Sequence, residues 1–285
     1  RIRNTLRYLL ANLDGFDPKK DAVAFEQLVD LDAWLVDRAA QLQDEVLQAY
    51  QDYNFHLIYQ KVHNFCSVEL GSFYLDVLKD RMYTMRRESL PRRSAQTAMY
   101  HVAEAMVRWL APVLSFTSDE AWAFLPQTQR EESVFMATAW QGLKPLSANA
   151  RVSREDWARV LEAREAIGPA LEELRRSEAI GSALDAELML YADEAMYSSL
   201  SKLGDELRFI FITSEAKVLP LKDAPADAMA TESDGLRVSA SPSAHAKCVR
   251  CWHHRDDVGT HADHPQLCGR CVENVVGAGE IRLHA

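Results

Sequence analysis

The sequence predicts a mainly α protein: an antiparallel helical bundle, then a small α/β unit, then a short cysteine-built module at the C-terminus. Three observations predict it. Apolar residues recur at spacings of three and four through most of residues 1–125. After Gly181 that period gives way to short apolar runs of strand length. Four of the five cysteines crowd between residues 248 and 271.

Each element follows from its own spacing. Leu6, Leu9, Leu10 and Leu13 give a first helix its apolar face. Leu31, Leu35, Ala39, Leu42, Val46, Ala49 and Tyr53 carry a longer one. Phe55, Ile58, Val62 and Phe65 continue the pattern after Asn54, which is placed to cap the new helix. Ala95, Met99, Val102, Met106, Trp109 and Val113 form another stripe. Asp119 and Glu120, after Ser118, fit the first turn of a shorter helix, where negative charge suits the dipole, and Pro126 ends it. Helices of this kind bury their stripes against one another in an antiparallel bundle, so the aromatic and Met positions read as core. Residues 126–150 read as loop. Trp157, Val160, Ile167, Leu171 and Leu174 predict one further helix. Residues 187–191, 207–213 and 236–240 predict strands, with a helix over 194–203. Residues 222–234 read as an acidic loop. No internal repeat is present. The expected division is 1–150, 151–243 and 244–285.

The composition is that of a globular protein: 285 residues, 48% apolar and 26% charged. No run of about 18 apolar residues occurs, so no membrane span is predicted. The chain starts at Arg1 inside a helical pattern, without Met or a signal segment, and is expected to be a piece of a longer protein. A formal charge of −10 argues against nonspecific nucleic-acid binding. The charge is uneven, however. Residues 79–93 hold Lys79, Arg81, Arg86, Arg87, Arg92 and Arg93 against Asp80 and Glu88. Residues 1–20 hold five basic and two acidic side chains. Such stripes are either solvated helix faces or phosphate-contacting surfaces.

Cys66 stands alone in a helical stretch and reads as a buried, inert thiol. The other four cysteines form Cys248-Val-Arg-Cys251 and Cys268-Gly-Arg-Cys271, with 16 residues between the pairs. Two residues between cysteines let both thiolates of a tight turn face one ion, and two such turns complete a tetrahedron. Four thiolates leave no open position, so the zinc they predict is structural. Gly269 is placed to relieve backbone strain in the second turn. His245, His253, His254, His261 and His264 crowd the same segment, and one of them is an alternative ligand. Trp252, beside Arg250, either stacks on an unpaired base or covers the metal turn.

At these residues the chain resembles a known family. Arg3-Asn4-Thr5-Leu6-Arg7-Tyr8-Leu9-Leu10-Ala11-Asn12-Leu13 is similar to the helix that follows the catalytic domain in isoleucyl-tRNA synthetases. Residues 30–34, 53–55 and 111–122 resemble later parts of that family's anticodon-binding bundle, which valyl enzymes partly share. Residues 180–186 resemble the segment before its C-terminal strands. The tail from Cys248 to Asn274 resembles the bacterial zinc tail. The resemblance covers essentially the whole chain.

It implies a cytoplasmic, monomeric isoleucine-tRNA ligase, one of the class I synthetases, using ATP and Mg. Its His-x-Gly-His and Lys-Met-Ser-Lys-Ser motifs are absent here, as is the editing domain. No catalytic residue is therefore expected in this chain, which alone should be inactive. Its implied part is to hold the anticodon stem-loop of the isoleucine tRNA. Arg3, Arg92, Arg93 and Trp252 are the candidate contacts. The alternatives are the zinc-finger part of a DNA repair glycosylase of the formamidopyrimidine type and a protein-interaction scaffold.

Overall fold

The computed structural model describes residues 1–126 and 131–285. These form two compact units, one of residues 1–82 with 87–147, the other of 83–86 with 148–285. Among the described residues no helix is long and apolar enough to cross a membrane.

The first unit is the helical bundle. Its elements are α1 (Ile2–Asn12), a one-turn α2 (Pro18–Asp21), α3 (Asp30–Gln51), α4 (Phe55–Asn64), a wide π segment (Phe65–Tyr74), α5 (Leu75–Thr84), α6 (Leu90–Leu110) and α7 (Ser115–Phe124). α3 packs along α6, and α4 and α1 close the two sides. Leu31, Leu35, Ala39, Leu42 and Val46 of α3 are buried against Ala95, Met99, Val102 and Met106 of α6, as their spacing predicts. In the π segment the chain winds with i→i+5 bonds. The Leu75 amide donates to the Leu70 carbonyl, and Ser72 Oγ donates to the Ser67 carbonyl at 2.9 Å.

One buried charge ties this bundle together. Asp32 Oδ1 accepts from Tyr74 Oη and Arg81 Nη2, each at 2.7 Å. Its Oδ2 accepts from Arg81 Nη1 at 2.7 Å and from Ser94 Oγ at 2.5 Å. Ser94 Oγ in turn accepts from the Val29 amide at 2.9 Å, at the start of α3. Two charges out of water persist only with this degree of pairing. Arg81 therefore leaves the basic stripe read over residues 79–93 and belongs to the core.

The second unit holds α8 (Arg154–Ala166), α9 (Gly168–Arg176), β1 (Ala186–Ala192), α10 (Glu194–Ser201), α11 (Leu207–Phe211), β2 (Glu215–Pro220), β3 (Met229–Ala230), β4 (Leu236–Pro242), β5 (Ala246–Lys247), β6 (His254–Arg255) and α12 (Gly269–Val275). Four strands make one sheet in the order β2-β1-β4-β3, with β1 and β2 parallel. Leu188 and Leu190 of β1, Val238 of β4, Leu200 of α10 and Trp157 of α8 fill its core. Ser153 and Asp156 form a capping box at α8, and Asp156 also accepts from Ser199 Oγ and Lys202 Nζ, which fastens α8 to α10.

Several expectations are corrected. Residues 207–213 are not a strand: Leu207–Phe211 is a helical turn, closed by Ile212 in the left-handed region (φ 56°), and the strand is Glu215–Pro220. A short apolar run buried on all sides has no period to tell helix from strand. The single helix over 157–174 is two, broken where Gly168-Pro169 opens α9. α7 starts at Ser115, so Asp119 and Glu120 lie beyond its first turn. Asn54 stands at the start of α4, but its side chain makes no cap bond. Tyr53 and Phe55, placed in core stripes, are exposed.

Candidate zinc centre and nucleic-acid interface

Cys248 and Cys251 sit at the tip of the hairpin that pairs Ala246–Lys247 with His254–Arg255. The Cys248 amide donates to the His253 carbonyl at 2.9 Å, and the Trp252 amide donates to the Cys248 carbonyl at 2.9 Å. Closing so tight a turn puts Trp252 at φ 67°, in the left-handed region. Cys268 is the N-cap of α12 and Cys271 lies in its first turn. Gly269 has no left-handed backbone to relieve. Its lack of a side chain serves close approach: its amide donates to Asp257 Oδ2 at 2.8 Å, where a Cβ would also come within 2.8 Å.

The four Sγ atoms lie within 4.8 Å of one another and are buried. Cys251 Sγ and Cys268 Sγ are 3.7 Å apart. Zinc–sulfur bonds of about 2.3 Å in a tetrahedron require sulfurs about 3.8 Å apart, so the set fits zinc. The Cys268 amide points at Cys248 Sγ at 3.4 Å, a donor for a thiolate. Contacts from Cys268 and Cys271 pull the Cys251 thiol far below its ordinary range. The same contact with Cys251 pushes Cys268 up to about 12 and Cys271 higher still. Thiols this crowded cannot all ionise unless a cation joins them. When bound, zinc would take all four thiolates and lock the hairpin to α12.

Among the described residues, the group placed to hold a metal ion is the four cysteines and includes no histidine. His253 is buried edge-on against Phe209, with ring centres 5.5 Å apart. His254 Nε2 lies 3.2 Å from Asp185 Oδ1. Cys66 is buried in the π segment of the first unit, where burial pushes its thiol up to about 12.

The candidate RNA contacts differ in availability. Trp252 is 60% exposed, which leaves its ring open to a partner. Arg250 Nη2 donates to the Thr84 carbonyl at 3.0 Å. Arg3 is exposed and paired with Glu120 at 2.6 Å. Arg93 is held by Asp21 at 3.3 Å and Gln96 at 2.8 Å. Arg92 is half-buried, and that burial, with Arg87 and Arg93 nearby, lowers its pKa. Arg3, Arg92 and Arg93 lie in the first unit and Trp252 in the second.

Two clusters escaped the sequence reading. Arg108 lies between the rings of Trp122 (4.7 Å) and Trp140 (4.8 Å), with Glu104 at 2.5 Å. Phe209 is ringed by Arg208, Arg270 and Arg282 at 4.6, 5.1 and 3.2 Å from its centre. Trp122 and Trp140 lie 14 and 32 residues beyond Arg108, and Arg270 and Arg282 lie 61 and 73 residues beyond Phe209, so no local motif signals either cluster.

Comparison with known proteins decides the family. The sequence profile described as "Anticodon-binding domain of tRNA ligase" matches residues 32–190, more than half of the chain. This chain belongs to the anticodon-binding family of tRNA ligases. A second profile, "Zinc finger found in FPG and IleRS", matches residues 247–274 and encloses all four clustered cysteines. The chain is 59% identical to the isoleucine–tRNA ligase of Methylococcus capsulatus, over 99% of this chain and 30% of that protein. It is 57% identical to that of Nitrosococcus oceani and 53% identical to that of Pseudomonas aeruginosa PAO1, each over 100% of this chain and 30% of the relative. The chain thus spans about 30% of the length of these relatives.

Proposed function

We propose that this chain is the C-terminal part of an isoleucine–tRNA ligase and holds the anticodon stem-loop of the isoleucine tRNA. The observation that carries this is the union, in one chain, of the anticodon-binding match over 32–190 and the four-sulfur cluster inside the zinc-finger match over 247–274. The zinc-finger profile alone is shared with another group of proteins, so it is the anticodon-binding match that disfavours the DNA repair alternative.

In this reading the parent is cytoplasmic and monomeric. It activates isoleucine with ATP and Mg outside this chain and joins it to the tRNA. The working division is a helical bundle over 1–150, a junction over 151–243 and a zinc module over 244–285. The zinc module presents Trp252 to an unpaired base, and Arg3, Arg92 and Arg93 neutralise phosphates. Arg93 must exchange Asp21 for phosphate to do so.

The test is fluorescence anisotropy of the zinc-loaded chain with isoleucine tRNA, other tRNAs and duplex DNA. The reading expects tRNA to bind more tightly than DNA and more weakly as salt rises. Arg92→Glu with Arg93→Glu should weaken all tRNAs alike, because phosphate contacts carry no sequence information. Equal affinity for duplex DNA and tRNA would reject the reading.

A further inference from the structure

We infer that the corner between α3 and α4 is a stacking platform for unpaired nucleobases, built around Tyr53. α3 closes with the Asp52 amide donating to the Gln48 carbonyl, Tyr53 to Tyr50 and Asn54 to Ala49. This closure puts Tyr53 at φ 56°, in the place that glycine, then asparagine, ordinarily fills. Asn54 follows one residue too late to take it. A tyrosine there is strained, and burial does not offset the strain, because the side chain is 79% exposed.

The ring has company. Tyr53 meets Phe55 nearly at right angles, 77° with centres 5.9 Å apart. Phe55, Tyr59 and His63 then recur every fourth residue, which puts them on one side of α4. The Tyr59 and His63 rings are 5.5 Å apart. Phe55 is 49% exposed and Tyr59 60%, while Ile58 and Val62 on the other side are fully buried. An amphipathic helix ordinarily turns charged residues outward on that side. Here it turns out a row of rings.

The occupant follows from chemistry. Flat rings with hydroxyl and imidazole groups at their edges match a nucleobase, which has π faces and a polar rim. The row lies inside the anticodon-binding match over 32–190. Lys61, the one Lys or Arg side chain over residues 51–64, is taken by Glu45 at 2.6 Å, so the rings and not a free cation are what this side of α4 offers. Trp252 repeats the device. Among the described residues, Tyr53, Glu178, Ile212 and Trp252 are the non-glycine residues at positive φ, and the two aromatics are both largely exposed. In each, a hydrogen-bonded turn fixes the backbone and presents the ring.

The inference rests on the RNA-binding reading above, and the experiment separates the two. Anisotropy of the zinc-loaded chain is measured with an anticodon stem-loop RNA and with the same stem as a loop-free duplex, alongside thermal unfolding. Tyr53→Gly should raise the unfolding midpoint, because glycine suits the left-handed position. It should also weaken stem-loop binding by roughly 5- to 150-fold, the worth of one stacked base. Tyr53→Phe should keep the affinity. A lowered midpoint for Tyr53→Gly would make the ring structural and overturn the proposal. So would equal weakening on the loop-free duplex, which would place the contact on the backbone. Unchanged RNA affinity in Tyr53→Gly, Phe55→Ser and Tyr59→Ser, with the unmutated chain binding the stem-loop, would leave the row to a protein partner. If the unmutated chain does not bind the stem-loop, the RNA-binding reading itself fails.

Discussion

The indole N–H of Trp140 donates to Nδ1 of His101 at 3.1 Å. Burial, with the Lys144 charge nearby, pulls His101 down to about 4 from its ordinary 6.5. The unfolded chain therefore binds the proton first as pH falls. Stability from this group is complete above about pH 6.5 and is lost as pH falls towards 4, by up to about 3 kcal/mol. Urea unfolding of the first unit across that range should show the decline. His101→Asn, which does not titrate, should flatten it.

Gly142 makes that contact possible. A Cβ there would lie 2.6 Å from Trp140 Nε1 and 2.7 Å from His101 Nδ1, and neither ring can yield like a flexible chain end. Gly142→Ala should part the two and cost about 1–3 kcal/mol, the range for a buried hydrogen-bonding group left unmatched. Denaturant midpoints would show it, along with a weaker pH dependence between 6.5 and 4.

Arg81→Met should destabilise the bundle by about 3–5 kcal/mol, because it strands the Asp32 carboxylate in the core with Tyr74 and Ser94. Adding Asp32→Leu should recover much of the loss, since it removes the charge left behind. A smaller loss in the single variant than in the double would contradict this account.

Cys248→Ser should lower zinc content and leave the hairpin and α12 open to protease, whereas Cys66→Ala should leave zinc content unchanged. A chelator should mimic the first variant, with elemental analysis and limited proteolysis as the readouts. Bound zinc here is folding energy, so its removal acts on structure directly.

Trp252→Ala should keep zinc, because the ring is exposed, while lowering tRNA affinity. Trp252→Gly should also keep zinc and hold it better against a chelator, since glycine relieves the left-handed backbone. Faster zinc loss in both variants would return Trp252 to a covering role.

The periodic parts of this molecule are legible from sequence. The stripes of α3 and α6 bury as their spacing demands, and the cysteine pairs meet as their two-residue gaps allow. Tertiary choices are not legible. Nothing local to Arg81 marks it as a core residue, because its partner Asp32 lies 49 residues away. Tyr53 continues a helical stripe in sequence, but the helix closes at Gln51 and turns it outward. Leu207–Phe211 fits helix and strand equally until the left-handed Ile212 ends the turn. Trp252 takes the strained backbone that the reading assigned to Gly269, because the conformation is set by hairpin closure rather than by residue preference.

The π segment bears on how this protein can change length. An i→i+5 ring takes up about one residue more per turn than an α-helix. Phe65–Tyr74 makes about two such turns, so it stores roughly two residues that an α-helix of equal span does not need. Elsewhere in the bundle, a deletion of that size rotates every following side chain off its face. Here it can be absorbed by rewinding, with α4 and α5 keeping their buried sides towards the core. The segment is thus a store of slack within the bundle, and a deletion of about that size between Asn64 and Leu75 should cost less there than in α3 or α6.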